Sequence, residues 1–252
     1  MSERDIEKTY SNKEFVEKLR RLADSIEKGE NLPASYVDAD LAKLFEVYFY
    51  NEHNLPEEID QAIVKWLDES LSQFDVVIVA DFGNGLISDG IVKKLSQKAN
   101  FLTVNAQTNS GNRGYNLITK YPKADFISLN EPELRMATHD RQSSLEFLAG
   151  MVATKLNAQG IAVTRGTQGA LMLDMGKGKT YHVPALSSKV VDRIGAGDAF
   201  LAITGLCLGN DIAPEIALLV GSAAAALDVQ IVCNREPVSS IALYKYLTTL
   251  LK

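Results

Sequence analysis

The most informative stretch of the chain is Val190-Val-Asp-Arg-Ile-Gly-Ala-Gly-Asp-Ala-Phe200. A β-branched segment runs into two glycines and then into an apolar run that continues to Leu208 and is typical of a helix. Gly195 and Gly197 allow the backbone to bend and to approach a ligand closely. The N–H groups at the start of the helix and the helix dipole favour a negative charge there. The sequence therefore predicts an anion pocket at this turn.

Asp198 places a carboxylate at the mouth of this pocket. A carboxylate is a poor choice for holding phosphate, but it suits the removal of a proton from a hydroxyl that attacks phosphate. The alternative is an ordinary helix start, in which Asp198 is a first-turn carboxylate stabilised by the helix dipole. The four residues Gly-Ala-Gly-Asp alone favour that alternative, so other parts of the chain have to decide between the two.

The composition is that of an ordinary globular protein. The chain has 252 residues, of which 46% are hydrophobic and 23% charged, and a single core is the default at this length. The balance of 26 basic and 32 acidic residues gives a net charge of −6, which argues against a general nucleic-acid binder. Cys207 and Cys233 have neither metal-ligand nor disulfide spacing. The sequence shows no signal core and no apolar run of membrane length, so we expect a cytoplasmic protein without a membrane partner.

Six short apolar segments alternate with helical patterns in the rest of the chain. Continuous apolar runs of this length are typical of buried parallel strands. The alternation predicts right-handed crossovers, a parallel sheet covered on both faces, and ligands beyond the carboxyl ends of the strands. The predicted strands are Asp75–Ala80, Phe101–Asn105, Phe126–Leu129, Gly160–Thr164, Ala170–Leu173 and Thr180–Val183. The helices predicted after the last strand are Ala196–Leu208, Pro214–Leu227 and Ser239–Leu251.

The chain before the first predicted strand contains two further helical patterns. A helix over Asn12–Lys28 begins with a Ser-x-x-Glu capping box and carries an apolar stripe, which is expected to pack onto its own domain rather than to bind a partner. Pro56–Leu71 is predicted to be a helix with its proline in the first turn. Between them, the aromatic-rich run Leu41–Tyr50 is compatible with a strand or a helix.

The nine residues Asp192-Arg-Ile-Gly-Ala-Gly-Asp-Ala-Phe200 closely resemble the signature of the ribokinase-like (PfkB) carbohydrate kinases. This resemblance implies a three-layer α/β/α sandwich with a mostly parallel central sheet. It also implies that Asp198 is the catalytic base. Asp192 resembles the family position near a monovalent cation, for which K⁺ is the candidate. The anion hole implied by the resemblance is the backbone of Gly195, Ala196 and Gly197.

Asn130-Glu-Pro-Glu133 follows a predicted strand and resembles the family's Asn-x-x-Glu motif. The resemblance ties Asn130 and Glu133 to ATP and Mg²⁺, because ATP carries several negative charges and a carboxylate can act on it only through a hydrated cation. The alternative is a helix start in which Asn130 is the cap and the proline and glutamates form the first turn. Both interpretations can hold at once.

Val163-Thr-Arg-Gly-Thr-Gln-Gly-Ala-Leu171 resembles the family's Thr-x-Gly-x-x-Gly segment, where a strand-end hydroxyl and glycine backbone approach the nucleotide phosphates. The resemblance assigns Thr164, Gly166 and Gly169 to the nucleotide, and Arg165 would add positive charge. The alternative is a hairpin turn with Gly169 at a positive φ.

Two polar stretches follow other predicted strands. Asp81-Phe-Gly-Asn-Gly85 resembles an Asp-Tyr-x-Lys-Gly stretch of heptose-phosphate kinases, but Asn84 stands in place of the lysine and removes a cation that would meet a phosphorylated substrate. The amide-rich stretch Asn105-Ala-Gln-Thr-Asn-Ser-Gly-Asn112 would line a polyol site, although a solvated loop is the favoured interpretation. The isolated histidines are interpreted as structural; they are His53, His139 and His182.

The resemblance extends from about Val37 to the C-terminus and is nearest to the heptose-phosphate kinases. Residues 1–36 show no acid-bearing strand, Gly-Gly segment or β lid of the kind with which family members open. We therefore expect an N-terminally reduced fold, with a charged helical segment over 1–36 and a nucleotide-binding kinase domain over 37–252. The expected activity is transfer of the γ-phosphate of ATP to a hydroxyl of a sugar or sugar phosphate, and transfer by this chain alone is expected to be poor.

The rival interpretation is a noncatalytic nucleotide-binding or assembly subunit. It is favoured by the unrecognised lid and by the additional N-terminal helix. A homo-oligomer, or a second chain that supplies the absent half, would reconcile the two interpretations.

Overall fold

The computed structural model describes residues 55–109, 112, 114–187, 189–232 and 235–251. The predicted helix Asn12–Lys28 and the run Leu41–Tyr50 lie outside the described residues, as do His53 and Cys233. The proposed segment 1–36 lies outside them too, so the division at residue 37 stays a prediction.

The described strands form one six-stranded sheet whose order follows the chain. Neighbours among the first four strands are parallel, whereas β5 is antiparallel to both β4 and β6. The mostly parallel sheet is confirmed, and its last two strands make it mixed. The strands are β1 Val77–Asp81, β2 Leu102–Ala106, β3 Phe126–Asn130, β4 Gly160–Thr164, β5 Ala170–Asp174 and β6 Lys179–Val183.

The burial of the strands explains their sequences. All five residues of β2 are buried, and only the last residue of β3 and of β4 is partly exposed. Strands covered on both faces read as continuous apolar runs, whereas strands with one wet face alternate. The edge strands β1 and β6 contain more exposed residues, which fits their position.

Helices cover both faces of the sheet. Successive side chains of a strand point to opposite faces, and in β3 Ile127 belongs to one core while Phe126 belongs to the other. The first core also contains Leu134 and Leu148 from helices after β3, and the second contains Phe200 and Leu218 from helices after β6. The predicted three-layer α/β/α architecture is therefore confirmed.

The four described helices for which the sequence predicts bounds, those that begin near residues 56, 196, 214 and 239, agree with the prediction to within one residue at each end. None of the helices in the part of the chain that the structure describes has the length and apolar character that crossing a bilayer requires. The helices are α1 Glu57–Ser70, α2 Asp89–Lys98, α3 Glu131–Thr138, α4 Leu145–Lys155, α5 Ala196–Gly209, α6 Pro214–Asp228 and α7 Ser240–Leu250.

The strand register brings polar residues together at one edge of the sheet. Asp81 at the end of β1 pairs with Ala106 at the end of β2, and Asn130 at the end of β3 pairs with Thr164 at the end of β4. The carboxyl ends of four parallel strands therefore align. In open α/β sheets ligands bind in the crevice outside these ends.

Candidate functional site

The turn at Gly195 begins α5, as the sequence predicts. Gly195 has a φ of 89°, in the left-handed region that residues with a Cβ occupy only with strain. Its carbonyl accepts a hydrogen bond from Ala199 N at 2.8 Å. This is the first hydrogen bond of the helix, and the N–H groups of Ala196 and Gly197, which precede it, have no acceptor within the helix. A Cβ added at Gly197 would meet nothing within 4 Å, so the turn faces open space that a ligand can enter.

A cleft of about 1190 Å³ is bounded by this turn, the carboxyl ends of β3 and β4, and the segment that follows β6. The cleft joins residues from three separate sequence motifs. Of the residues that the sequence singled out, Gly195, Glu133, Asp192 and Asp198 do not line it. The residues given a role at the site that do line it are Asn130, Thr164, Arg165, Gly166, Gly169, Ala196 and Gly197, and His139, interpreted from the sequence as structural, lines it as well.

The segment between β4 and β5 is a hairpin and a wall of the cleft at the same time. The two strands are antiparallel, and Gly169 at the turn has a φ of 83°. Arg165 N donates to Gly169 O at 2.8 Å and closes the turn. The predicted hairpin is confirmed, and its glycine backbone also borders the cleft. The assignment of these residues to a nucleotide stays a prediction.

Positive charge dominates the polar part of the cleft. Among the described residues, four arginines line it together with a single carboxylate residue, Glu131. Glu131 Oε1 accepts from Arg135 Nε at 2.9 Å, and its Oε2 lies 3.5 Å from Arg165 Nε. One carboxylate cannot neutralise four guanidinium groups, so the cleft favours an anionic ligand. The other two arginines are Arg141 and Arg193.

An apolar wall completes the cleft. It is formed by the segment after β6 and by α6, and the Tyr246 hydroxyl donates to Leu186 O at 2.5 Å, which ties this wall to α7. Clefts that combine apolar surface with a few convergent charged groups suit ligands with an aromatic part and a charged tail. The wall residues are Pro184, Ala185, Leu186, Val190, Ala225, Ala226 and Val229.

Asp198 lies in the first turn of α5 and is half-buried. Its Oδ1 accepts a hydrogen bond from Gln107 Nε2 at 2.6 Å. Gln107 directly follows β2, so this contact joins the carboxyl edge of the sheet to the start of α5. The predicted base therefore sits beside the strand ends.

The structure differs from the expectation for the amide-rich stretch that begins at Asn105. The interpretation as a solvated loop is wrong for its described residues, since Asn105 and Asn112 are each only 7% exposed. Each carboxamide finds a partner on the protein, and Asn112 Nδ2 donates to Phe82 O at 2.7 Å. Asn109 N donates to Asn112 Oδ1 and Asn112 N to Asn109 Oδ1, both at 2.9 Å.

Glu133 is buried in the first turn of α3, with 6% of its surface exposed. Its carboxylate accepts from Asn130 N at 2.9 Å and from Thr108 N at 3.1 Å, while Asn130 Oδ1 accepts from Glu133 N at 2.8 Å. The helix-start interpretation is therefore confirmed as a capping box. Burial raises the pKa of Glu133, and the backbone hydrogen bonds from Asn130 and Thr108 lower it in part.

The donor set around Glu133 fits a magnesium ion only through water. Both carboxylate oxygens already accept backbone hydrogen bonds. Among the described residues there is no group of three or more histidine, cysteine or acidic side chains that could hold a metal directly. Asn105 Oδ1 and Thr108 Oγ1 are buried without a hydrogen-bond partner in the described structure. Such oxygens next to a carboxylate are suitable partners for the water shell of a hard cation.

Asp192 lies beside a second carboxylate that the sequence did not reveal. Val191 N and Asp192 N donate to Val229 O at 2.8 and 3.1 Å, next to Asp228 at the end of α6. Asp228 is 7% exposed, and its Oδ2 is buried without a hydrogen-bond partner. Burial and the charge of Asp192 raise the pKa of Asp228. Two neighbouring carboxylates are oxygen groups that suit a cation, whereas Val229 O already accepts two backbone hydrogen bonds.

The stretch that begins at Asp81 contains a buried ion pair. Asp81 is 1% exposed, its Oδ2 accepts from the Tyr121 hydroxyl at 2.7 Å, and Lys120 Nζ lies 2.5 Å from the same oxygen. Burial and the Asp81 carboxylate raise the pKa of Tyr121, which therefore stays a donor. The cation near this strand end is Lys120 rather than a lysine at the position of Asn84.

These positions can be compared with those of known proteins. Residues 46–238 match the model of the pfkB family of carbohydrate kinases. The chain belongs to this family. A bifunctional protein HldE from Trichlorobacter lovleyi is 26% identical over 197 residues, which cover 75% of this chain. The chain spans 39% of the length of that relative.

Solved structures with the same fold include a phosphofructokinase and a ribokinase. Phosphofructokinase-2 from Escherichia coli in complex with potassium superposes with a TM-score of 0.65 at 17% identity, over 79% of this chain and 64% of that chain. Ribokinase from Arabidopsis thaliana complexed with ribose and ATP gives a TM-score of 0.56 at 21% identity, over 77% and 60%. At these identities the likeness establishes the ribokinase-like fold.

Sequence reasoning missed several residues of the site. Arg135 and Arg141 carry no local pattern that distinguishes them from surface arginines, and Arg193, although part of the signature that begins at Asp192, has no role assigned from the sequence; only the fold brings the three to one cleft. Asp228 stands at the end of an alanine-rich helix and gives no signal of its own. Gln107 belongs to a stretch that the sequence did single out for its amides, but nothing in the pattern indicates its contact with Asp198.

Proposed function

We propose that the chain transfers the γ-phosphoryl group of ATP to a hydroxyl of a sugar or sugar phosphate. The observation that carries this proposal is the position of Asp198, one residue beyond the glycine turn that lines the arginine-rich cleft and beside the carboxyl ends of the strands. A carboxylate at this point is adjacent both to a phosphate pocket and to the crevice where an acceptor would bind.

In the proposed reaction Asp198 removes the proton from the acceptor hydroxyl. The hydroxyl oxygen forms a bond to the γ-phosphorus, the bond from that phosphorus to the β,γ-bridging oxygen breaks, and ADP leaves with the electron pair. The N–H groups of Ala196 and Gly197 in the first turn of α5 stabilise the negative charge on the transferring group. Because phosphoryl transfer involves little covalent chemistry by the protein, positioning and electrostatics supply most of the rate.

The cleft supports the placement of the nucleotide. Its arginines and the hairpin backbone from Thr164 to Gly169 would flank the phosphates, and the apolar wall of Leu186, Val190 and Val229 would cover the base. The Arabidopsis ribokinase of the same fold was solved with ribose and ATP, which is consistent with this assignment.

Two cations belong to the proposal. Mg²⁺ neutralises phosphate charge when bound, and Asn130 and Glu133 would orient it through water. Asp192 and Asp228 would hold K⁺, and the fold relative from Escherichia coli was solved in complex with potassium. The buried Asp228 Oδ2 without a partner is what a cation there would satisfy.

The test measures binding and transfer separately. Calorimetry with ATP and Mg²⁺ should give a dissociation constant in the micromolar to millimolar range, as is common for enzyme substrates, roughly 1 μM–1 mM. A coupled assay of ADP release should then identify an acceptor within a panel of hexoses and heptose phosphates. ATP binding without transfer to any acceptor would favour the noncatalytic nucleotide-binding subunit, and absence of ATP binding would reject both.

A further inference from the structure

We propose that Gln107 is a positioning residue for phosphoryl transfer, which holds the Asp198 carboxylate in the orientation that the proton transfer needs. This inference rests on the proposed function, since it takes Asp198 as the base. It assigns a role to a residue outside the sequence motifs that carry the family resemblance.

The contact itself is short and joins distant parts of the chain. Gln107 Nε2 donates to Asp198 Oδ1 at 2.6 Å across 91 positions of sequence. Hydrogen bonds to an ionised carboxylate are shorter and about twice as strong as those between neutral groups. Both side chains are partly shielded from solvent, which strengthens the interaction relative to one in bulk water.

The backbone N–H and C=O groups of Gln107 are both hydrogen-bonded to the protein. Gln107 N donates to Asp81 O at 2.8 Å, and Gln107 O accepts from Asn116 Nδ2 at 3.2 Å and from Asn112 Nδ2 at 3.4 Å. The next residue, Thr108, is held by Glu133. Because the backbone of Gln107 is held at these points, the fold sets the position from which its side chain reaches Asp198.

Asp81, whose carbonyl accepts from Gln107 N, is itself held by several contacts. Asp81 is 1% exposed and is held by the Tyr121 hydroxyl and by Lys120, and Asn116 Nδ2 donates to Asp81 O at 2.9 Å. Asn116 therefore contacts both Asp81 and Gln107 and links them. The chain of contacts runs from a buried ion pair in the sheet edge, through Gln107, to Asp198.

The physical consequence concerns the rotation of the Asp198 carboxylate. A carboxylate on a first-turn aspartate can rotate about its terminal torsion, because sp³–sp² torsions have broad minima. A donor fixed at Oδ1 restricts that rotation. Reaction rates depend steeply on such alignment, and a misplacement of about 1 Å can cost about 100-fold.

The first experiment compares Gln107→Leu and Gln107→Glu with the parent chain. Leucine removes the donor, and glutamate keeps the size but replaces the donor by an acceptor. We expect kcat with an accepted sugar to fall about 10- to 100-fold in both, with the ATP dissociation constant within threefold of the parent's. The matched control is Gln61→Leu, which removes an exposed carboxamide that donates to Glu57 Oε1 at 3.0 Å within α1.

The second experiment combines Gln107→Leu with Asp198→Asn. If Gln107 acts through Asp198, the double variant should transfer phosphate at a rate within twofold of Asp198→Asn alone, since residues that act as a unit are not additive. A tenfold further loss in the double variant would overturn the inference, and so would a parental kcat in Gln107→Glu. A parallel loss of ATP affinity, or failure of both single variants to fold by circular dichroism, would also overturn it, because the role would then be structural.

The two proposals fail in different ways. If the parent chain binds ATP but phosphorylates no acceptor, the proposed function fails. The thermal midpoints of the parent, Gln107→Leu, Asp198→Asn and the double variant then still report whether the contact exists. If the two residues are coupled, the midpoint of the double variant falls by less than the sum of the two single decreases. If the parent is active and the kinetic effects of the two substitutions multiply, only the inference about Gln107 fails.

Discussion

Thr108 N donates to Glu133 Oε1 at 3.1 Å, so the segment after β2 contacts the first turn of α3. The residue before it, Gln107, donates its side-chain N–H to Asp198 in the first turn of α5. Two consecutive residues thus hold Asp198 and Glu133, two of the carboxylates that the sequence motifs single out, although these lie on helices far apart in the chain. The segment that follows β2 therefore contacts both Asp198, the proposed base, and Glu133, the glutamate proposed to orient Mg²⁺.

Asp198→Asn should reduce kcat for phosphoryl transfer to a small residual rate and leave the ATP dissociation constant within a few-fold of the parent's. The amide keeps the size of the side chain but cannot accept the proton, and a general base contributes about 10²–10⁴-fold. The coupled ADP assay gives kcat, and calorimetry gives the affinity. Asp89→Asn is the matched control, because Asp89 is a first-turn carboxylate of α2. A kcat above half that of the parent would exclude Asp198 as the base.

Glu133→Gln should weaken the dependence of ATP binding on Mg²⁺. The carboxylate is the charged group that would attract the hydrated ion, and glutamine removes its charge while keeping an oxygen for the Asn130 amide. Calorimetric titrations of ATP at several Mg²⁺ concentrations measure the effect. Glu146→Gln, an exposed first-turn glutamate of α4, serves as the control. Identical magnesium dependence in the parent and the variant would show that Glu133 acts only as part of the helix cap.

Glu133 should also make the stability of the fold depend on pH. Burial raises the pKa of Glu133 above its ordinary value of 4.5, so the folded chain binds this proton more tightly than the unfolded chain does. The stabilisation is complete below the ordinary value and is lost as the pH rises through the folded-state pKa. The parent's free energy of unfolding, minus that of Glu133→Gln, should therefore decrease with rising pH by up to about 1.4 kcal/mol per pH unit in that window.

Urea unfolding of both proteins between about pH 4 and 8 measures this difference, and subtraction removes the contribution of the other carboxylates. Parallel profiles for the parent and the variant would show that the Glu133 proton is bound equally in both states. A difference that increases with pH would mean that the backbone hydrogen bonds from Asn130 and Thr108 outweigh burial.

Much of the fold could be predicted because its signals are local. β4 Gly160–Thr164 coincides with the predicted strand, and α5 begins at the predicted glycine turn. A continuous apolar run, a capping box at Asn130 and a positive-φ glycine at Gly169 each depend on a few neighbouring residues. Such features are set by the chain within one element.

The rest depends on contacts between distant elements. Gln107 and Asp198 are 91 positions apart, and no periodicity or motif relates a carboxamide to a particular carboxylate. The pairing of Asp192 with Asp228 arises only because the end of α6 reaches the segment before α5. The amide-rich stretch reads as solvated because polar residues usually are, whereas here the network of carboxamides is buried against the strand ends.

Arg165→Gln should weaken the binding of ATP more than that of adenosine. Arg165 lines the cleft, and its Nε lies 3.5 Å from Glu131 Oε2. Glu131 also accepts a hydrogen bond from Arg135, so it is not a full counter-ion for Arg165. A hydrogen bond to a charged group contributes about 1.5–3 kcal/mol, so the ATP dissociation constant should rise about 10-fold or more. Adenosine carries no phosphate, and its affinity should stay within twofold. Arg235→Gln, at an exposed arginine that does not line the cleft, is the control.

Calorimetry with the two ligands measures both affinities at one salt concentration. An equal loss for ATP and adenosine would show that Arg165 shapes the cleft rather than contacts phosphate. A loss that disappears at high salt would fit a contact with phosphate, because exposed charges are screened.

Gly169→Ala should destabilise the fold strongly, whereas Gly166→Ala in the same hairpin should have a smaller effect. Both glycines have a positive φ, of 83° and 57°. A Cβ at Gly169 would lie 2.0 Å from Val183 O in β6, but a Cβ at Gly166 would meet nothing within 4 Å. A positive φ costs about 1–2 kcal/mol for a residue with a Cβ. Gly169, with a ψ of −142°, lies in a region almost exclusive to glycine that costs about 1–3 kcal/mol, and relief of its overlap adds about 1–3 kcal/mol.

Urea unfolding gives both free energies, and the difference between the two variants reports the contact with β6 together with the additional cost of the Gly169 backbone conformation. Equal losses would mean that the β5–β6 pair moves apart without resistance. ATP affinity provides a second measurement, because the backbone of both glycines borders the cleft. Gly166→Ala should then affect ATP binding through its added methyl group alone. Gly169→Ala should affect ATP binding and stability together, because the added Cβ would also touch Pro184, which follows β6 and lines the cleft. The shift that this substitution forces on β6 therefore moves a wall of the cleft.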